Sequence, residues 1–199
     1  MRWYDVFAHT YDAQLEALYR PYRPTAFDAL RLAPGQTVLD LACGTGQNFD
    51  GLAERLGPAG RVVGLDASEG MLKKARARAD RLGLEAALVH ADATAAAYPP
   101  VDAVLATLAF TALPDPDAAF ARALDALRPG GRFVLLDVHA ERRRFQTWLV
   151  EKIARADLNR RPWTLLEAAL DDVSRTDLNA PAKTFGGTLY VAAGTKRAL

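Results

Sequence analysis

The chain alternates short apolar runs with segments in which apolar residues recur at helical spacing. The apolar runs predict buried strands at 37–43, 61–66, 87–90, 102–108 and 132–138. The periodic segments between and after them predict helices at 48–56, 68–83, 115–127 and 141–157, and weaker signals predict a helix at 163–170 and strands at 173–178 and 188–193. Strands that alternate with helices are typical of α/β domains with a parallel sheet.

The first 30 residues precede the first predicted strand, read as helical and are rich in aromatic side chains. They hold seven of the seventeen aromatic residues, which are Trp3, Tyr4, Phe7, Tyr11, Tyr19, Tyr22 and Phe27. Two interpretations stay open for this segment, a lid over a ligand site or a helix that packs on one face of the domain. We therefore predict one domain over 1–199, with a helical lid segment at 1–33 and an α/β core at 34–199.

Composition and charge narrow the classes of protein that fit this pattern. A length of 199 residues, with 50% hydrophobic and 25% charged residues, is ordinary for one globular domain. The 25 basic and 24 acidic residues leave a net charge of +1, which argues against bulk nucleic-acid binding. The single cysteine, Cys43, excludes an intramolecular disulfide framework. The amino terminus lacks the apolar core of a signal peptide, so we expect a cytoplasmic protein.

A glycine-rich turn follows the first predicted strand, and an acidic residue ends the second. Gly44 and Gly46 have no Cβ, so the backbone there can turn tightly and approach a ligand closely. Asp66 lies twenty residues beyond Gly46, where a carboxylate can accept both hydroxyls of an adenosine ribose. Together the turn and the acid predict a nucleoside-binding site at the carboxyl edge of the sheet.

The residues around this turn distinguish between nucleoside ligands. Phe49 occupies the third glycine position of the dinucleotide fingerprint, so that fingerprint is incomplete. Asp40, within the first strand, would repel a pyrophosphate but would attract a ligand that carries an ammonium and a sulfonium. The electrostatics therefore favour S-adenosylmethionine over a nicotinamide dinucleotide.

Five segments of the chain resemble, in order, the motifs of the class I S-adenosylmethionine-dependent methyltransferases. They are 38–46, 62–68 with Met71 and Leu72, 90–93, 102–107 and 127–132. Within that class the chain is most similar to the branch that includes ubiquinone/menaquinone methyltransferases and short phosphatidylethanolamine N-methyltransferases. The resemblance implies a Rossmann-like, doubly wound, seven-stranded and mostly parallel sheet, with an antiparallel last strand and helices on both faces.

The resemblance also implies a role for each residue of the cofactor site. Gly44 and Gly46, with Asp40 beside them, would admit the methionine part of S-adenosylmethionine, and Asp66 and Ala67 its ribose. Met71, Asp92 and Ala93 would hold the adenine. Thr107 would line the methyl channel, and Tyr11 would close over the cofactor from the lid. The expected product is S-adenosylhomocysteine.

A general base is needed only if the methyl acceptor must lose a proton, since in-line positioning supplies much of the acceleration. His139, after the fifth strand, is the candidate base. The three histidines lack metal-ligand spacing, so we expect no metal. The acceptor pocket is expected between the lid and the loop at 110–114, with a small-molecule or lipid acceptor.

Residues 141–157 form a basic amphipathic helix that has two interpretations. It would contact an anionic membrane or a phosphorylated acceptor, or it would pack on the sheet with its arginines in solvent; the second is favoured because the fold needs a covering helix there. No pattern indicates an oligomeric state. The alternatives to a methyltransferase are a nicotinamide-dependent oxidoreductase and a non-catalytic S-adenosylmethionine-binding protein.

Overall fold

A computed structural model describes residues 17–141, 147–148, 151–152, 155–181 and 186–198. Seven strands form one sheet in the order β3-β2-β1-β4-β5-β7-β6. Their bounds are β1 Thr37–Leu41, β2 Arg61–Asp66, β3 Glu85–His90, β4 Val101–Thr107, β5 Leu127–His139, β6 Asp171–Asp177 and β7 Thr188–Thr195. The pairs among β1 to β5 are parallel, whereas β7 runs antiparallel to both β5 and β6. The predicted fold class is confirmed.

Five helices lie between these strands or before them in the described residues. They are α1 Arg23–Ala29, α2 Phe49–Leu56, α3 Glu69–Leu82, α4 Pro116–Ala126 and α5 Trp163–Ala169. The side chain of Ser68 accepts from the Met71 amide at the start of α3, and that of Asp115 accepts from the Ala118 amide at the start of α4. Gly83, in the left-handed conformation at φ +62°, ends α3. Ser68 and Asp115 are N-caps and Gly83 is a C-cap, and all three are residue types that commonly occupy these positions.

The central strands are buried on both faces of the sheet, because helices cover each side, whereas β6 at one edge is mostly exposed. One core layer packs apolar side chains of α1, α2 and α3 against residues such as Val38 and Leu136. The other packs α4 and α5 against residues such as Leu39 and Phe133. Since side chains alternate along a strand, Asp40 points to the same side as Val38, toward the layer of α1, α2 and α3.

β1 and β4 pair with each other, and strand order reverses between them: β2 and β3 continue from β1 to one edge of the sheet, and β5, β7 and β6 continue from β4 to the other. The crevice beyond the carboxyl ends of these two strands is the usual ligand position in an open α/β sheet. The turn at 42–48 and the loop at 108–113 both begin there. The fold therefore brings the predicted site residues of β1, β2 and β4 to one edge.

The described part of the predicted lid segment packs onto the core. Phe27 of α1 is buried against α2, so closely that a Cβ added at Gly51 would come within 2.2 Å of its ring. Arg55 of α2 lies over the Phe27 ring and pairs with Asp28 at 2.7 Å. Residues 1–16, including Tyr11, lie outside the described residues. A closing lid therefore stays a prediction.

The predicted basic helix lies partly outside the described residues. Where it is described, Thr147 is buried and donates to the Gly186 carbonyl at 2.8 Å, while neighbouring Trp148 is 46% exposed. Thr147 thus contacts the protein, and packing of the helix on the sheet stays a prediction. Throughout the described part of the chain, no helix has the length and apolar character needed to cross a bilayer. The same residues contain no cluster of potential metal ligands.

Candidate functional site

The turn after β1 leaves an open surface at one glycine and a closed one at the next. Ala42, Gly44 and Gly46 have positive φ angles of 56°, 55° and 76°. A Cβ on Gly46 would lie 2.7 Å from the ring of Phe49, whereas a Cβ on Gly44 would meet nothing within 4 Å. Gly46 is therefore needed for packing against α2, and Gly44 faces space that a ligand can enter.

The carboxylate of Asp66 ties this turn to the end of β2. Its Oδ2 accepts from the Gly44 amide and its Oδ1 from the Ser68 amide, both at 2.9 Å. Burial raises the pKa of Asp66, and the two backbone hydrogen bonds oppose that rise by stabilising the charged form. The predicted ribose acid is thus held rigidly beside the open face of Gly44.

Asp40 lies on the other side of the turn and is completely buried. Its Oδ1 accepts from Asn48 Nδ2 at 2.8 Å, while its Oδ2 is buried without a hydrogen-bond partner among the described residues. Burial raises the pKa of Asp40 to about 7, although the Asn48 hydrogen bond and the charge of Arg23 favour the ionised form. A buried carboxylate oxygen without a donor is costly in the protein alone, and an ammonium group from a ligand would satisfy it.

Sequence reasoning missed three polar residues that join this site. Arg23 of α1 is 5% exposed and donates to the side-chain carbonyls of Asn48 and Gln47. Asn48 also donates to the Thr107 hydroxyl at 3.1 Å, and Arg23 reaches the same hydroxyl at 3.4 Å. Arg23 lies 25 residues before Asn48 and 84 before Thr107, so no local spacing could signal these contacts.

The residues predicted to hold adenine lie beside the start of α3 and the end of β3. Met71 is half-buried in the first turn of α3. Asp92 is exposed and accepts from the backbone and hydroxyl of Thr94, which lowers its pKa. Ala93 is buried, and its carbonyl accepts from the hydroxyl of Tyr98 at 3.1 Å. Because β3 pairs with β2, these residues lie one strand away from Asp66.

Ala67 and Thr107 are placed by the strands that precede them. Ala67 is exposed directly after β2, and its carbonyl lies 3.0 Å from His90 Nε2. Thr107 ends β4 and is bound to Asn48 as described above. The structure therefore brings Asp40, Gly44, Gly46, Asp66, Ala67 and Thr107 to the carboxyl ends of β1, β2 and β4.

His139, the candidate base, is 5% exposed at the end of β5. Its Nδ1 lies 3.1 Å from the Arg160 carbonyl, and its ring meets Trp163 edge-on at 4.8 Å. Burial lowers the pKa of His139, which favours the neutral imidazole that a base requires. Its catalytic role stays a prediction.

The loop predicted to border the acceptor is held firmly to β5 by Asp137. This carboxylate is completely buried and accepts from the Thr111 hydroxyl at 2.7 Å and the Thr111 amide at 3.2 Å. Burial raises the pKa of Asp137 to about 6. Arg160 adds hydrogen bonds to the carbonyls of Phe110 and Leu113 from the opposite side. Hydrogen bonds with Asp137 and Arg160 therefore hold this loop in place.

A doubly wound sheet with a glycine turn and a strand-end acid at its switch point defines a nucleoside-binding α/β protein. A family described as "Methyltransferase domain" matches residues 38–131, a range that contains the turn, Asp66 and Thr107. This match agrees with the assignment made from the motifs, a resemblance to the class I S-adenosylmethionine-dependent methyltransferases.

Curated relatives support this assignment over part of their length. The nocamycin O-methyltransferase of Saccharothrix syringae is 36% identical over 135 residues, which are 66% of this chain and 48% of the relative. The demethylmenaquinone methyltransferase of Thermus thermophilus is 40% identical over 119 residues, 58% of this chain and 53% of the relative. The chain thus spans about half the length of these relatives.

Solved structures share the whole fold. A methyltransferase from Haloferax volcanii, in complex with the Trm112 methyltransferase activator, has a TM-score of 0.78 at 21% identity and covers 98% of both chains. The geranyl diphosphate C-methyltransferase of Streptomyces coelicolor, with S-adenosyl-L-homocysteine bound, has a TM-score of 0.73 at 16% identity, covering 88% of this chain and 74% of the other. At these identities the likeness establishes the fold.

Proposed function

We propose that this protein transfers a methyl group from S-adenosylmethionine to a small-molecule acceptor. The observation that carries the proposal is the buried, unsatisfied carboxylate oxygen of Asp40 in the strand that leads into the turn, where Gly44 has an open face. A ligand with an amino-acid end would place its ammonium at Asp40 while its backbone passed Gly44. Asp66, whose carboxylate accepts from the Gly44 amide, would hold the ribose of the same ligand.

Each predicted residue contributes one contact to this arrangement. Asp40, Gly44 and Gly46 would hold the methionine part, Asp66 and Ala67 the ribose, and Met71, Asp92 and Ala93 the adenine. When bound, the cofactor supplies an electrophilic methyl group on a sulfonium. Thr107 would border the methyl, Tyr11 would close the site, and the chain would orient the acceptor in line with it.

The names of similar proteins support a small-molecule acceptor. Two of them bear names that refer to small molecules, nocamycin and geranyl diphosphate. The fixed loop at 108–113 and Thr107 would border the acceptor on the side of β4 and β5. His139 would serve as base if the acceptor must lose a proton.

Calorimetry with S-adenosylhomocysteine tests the cofactor assignment. We expect Asp66→Ala to weaken binding by more than about tenfold, because a ribose contact and two loop hydrogen bonds are lost together. Asp102→Ala is the matched control, since Asp102 also caps a strand, accepting from the Thr37 amide at 2.8 Å, but lies at the opposite end of β4. Equal affinity in the wild type and Asp66→Ala would contradict the ribose assignment.

A labelled-methyl transfer assay on fractionated cell extract tests the reaction and the acceptor class. Label in a water-soluble product of low mass is the expected result, whereas label in the lipid phase would replace the small-molecule acceptor with a lipid. Binding without transfer to any fraction would indicate a non-catalytic binder. Binding of NAD(H) with no response to S-adenosylhomocysteine would indicate the oxidoreductase alternative.

A further inference from the structure

A chain of hydrogen bonds joins α1 to the buried acid of β1. Arg23 donates to Asn48 Oδ1, and Asn48 Nδ2 donates to Asp40 Oδ1 at 2.8 Å. All three side chains are buried, with exposures of 5%, 1% and 0%. The function proposed above involves only Oδ2 of Asp40, the carboxylate oxygen that does not accept from Asn48.

The donors and acceptors of the three side chains allow only one orientation for this series of hydrogen bonds. A guanidinium can only donate, so the amide of Asn48 must turn its oxygen toward Arg23. The amide nitrogen then faces Asp40 and donates to it, which fixes the carboxylate with Oδ1 toward Asn48 and leaves Oδ2 buried without a partner among the described residues. Gln47 and Thr107 hold the guanidinium from two further elements, so Arg23 is itself fixed.

The charges that face Asp40 come from three elements. Arg23 of α1 favours its ionised form, while Asp66 of β2 and the loss of water on burial disfavour it. Cys43 of the turn also lies within its field, and burial raises the pKa of that thiol, which stays neutral. Among these groups Arg23 carries the only positive charge that acts on Asp40.

We propose that Arg23 is a positioning residue that holds Asp40, through Asn48, as an ionised carboxylate aimed at the ammonium of the cofactor. This inference rests on the proposed function and extends the cofactor site to α1. Without the guanidinium, Asp40 would lose both the bridge that orients it and the charge that favours its ionisation. The amino-acid end of the ligand would then bind weakly at neutral pH, whereas the nucleoside end would bind as before.

The test compares two ligands that differ only at the amino-acid end, S-adenosylhomocysteine and 5′-methylthioadenosine. Affinities are measured by calorimetry between pH 6 and pH 8 for the wild type, Arg23→Met and Arg23→Lys. Arg132→Met is the matched control. Arg132 is also a buried arginine that binds α1, donating to the Ala29 carbonyl at 3.1 Å, but its other partner is Thr195, away from the crevice.

We expect Arg23→Met to bind S-adenosylhomocysteine about tenfold more weakly at pH 7, because a charge-assisted interaction is lost. The deficit should shrink toward pH 8 as Asp40 ionises, and Arg23→Lys should recover part of it. The affinity for 5′-methylthioadenosine should change less than about twofold. The control should bind both ligands as the wild type does.

An equal loss of affinity for both ligands would overturn the inference, since it would show that Arg23 merely supports the fold. So would a pH profile for S-adenosylhomocysteine that is the same with and without the guanidinium. A wild type that binds neither ligand would instead contradict the proposed function, so the two failures are distinguishable.

Discussion

Asp40 lies between apolar residues of β1, and its carboxylate receives only one hydrogen bond from the described residues. The pKa of about 7 already combines the cost of burial with the favourable effects of Asn48 and Arg23. A carboxyl with a raised pKa stabilises the fold only while it is protonated. That contribution is complete below about pH 4, the usual pKa of an aspartate, and is lost as pH rises through about 7.

Replacing Asp40 with asparagine should therefore increase stability while weakening cofactor binding. The amide keeps an oxygen for Asn48 and removes the buried charge. The pKa shift from 3.8 to about 7 corresponds to about 4 kcal/mol, at about 1.4 kcal/mol per pKa unit. Burying the new amide nitrogen without an acceptor offsets about 2 kcal/mol of this, so we expect the free energy of unfolding at pH 8 to rise by roughly 2 kcal/mol. Affinity for S-adenosylhomocysteine should fall at least about tenfold, because the ammonium loses its charged partner.

Urea unfolding at pH 5 and pH 8 measures the first effect, and calorimetry measures the second. The gain in stability should be smaller at pH 5, where much of Asp40 is already protonated. A variant that is less stable than the wild type at pH 8 would show that the charged form of Asp40 is structurally favourable.

At the level of elements, the two glycines of the turn at 42–48 have different roles: Gly46 allows packing against α2, and Gly44 faces the proposed ligand space. Gly46 lies against Phe49, which begins α2, so its missing side chain lets the helix start directly after the turn. Gly44 donates its amide to Asp66 while its α-carbon faces open space. The two glycines look alike in sequence, and only the position of α2 distinguishes them.

Alanine substitutions should separate these two roles. Gly44→Ala and Gly46→Ala each impose a left-handed backbone on alanine, which costs about 1 kcal/mol. In Gly46→Ala the new Cβ also displaces the buried Phe49 ring, and such overpacking costs a further 1–3 kcal/mol or so. Gly44→Ala should instead lose affinity for S-adenosylhomocysteine, because the Cβ enters the ligand space. Thermal unfolding and calorimetry give the two readouts.

Gly83→Ala is the control for backbone strain. Gly83 has a similar φ of 62° and nothing within 4 Å of an added Cβ, but it lies at the far end of α3. Its variant should match Gly44→Ala in stability and the wild type in binding. If Gly44→Ala bound ligand with wild-type affinity, the open face of the turn would not be the cofactor surface.

Considered as a whole, the described part of the molecule places three acids at the carboxyl edge of its sheet, two buried and one half-buried, and the pKa of each is raised by loss of water. They are Asp40, Asp66 and Asp137, and the pKa values of Asp40 and Asp137 are about 7 and 6. Each is easier to protonate in the folded than in the unfolded chain. Ionisation of these three acids at the carboxyl edge of the sheet therefore lowers the folding stability as pH rises.

We predict that the urea midpoint of the ligand-free protein falls as pH rises from 5 to 8. S-adenosylhomocysteine at about one hundred times its dissociation constant should restore about 2.7 kcal/mol, since it binds only the folded state. Asp40→Asn should flatten the dependence on pH. A midpoint that rises steadily over this range would show that other groups dominate the titration.

Local sequence signals predicted much of the fold at the level of its elements. The bounds of β2 match the prediction, because Arg61 and Asp66 flank an apolar run between two turns. β5 begins five residues earlier than the predicted residue 132, since Leu127 already pairs with Val101 before the chain shifts register. That pairing depends on a distant strand, so local pattern could not show it.

The sequence by itself determined the order of strands and helices, the caps of α3 and α4, and the glycine turn with its strand-end acid. These features depend on periodicity, cap chemistry and backbone conformation, which act over a few residues. Only the tertiary structure decided that Arg23, Asn48 and Thr107 surround Asp40, and that Asp137 fixes the loop at 108–113. Contacts between residues far apart in the chain depend on how the helices pack on the sheet, and no short-range pattern encodes that packing.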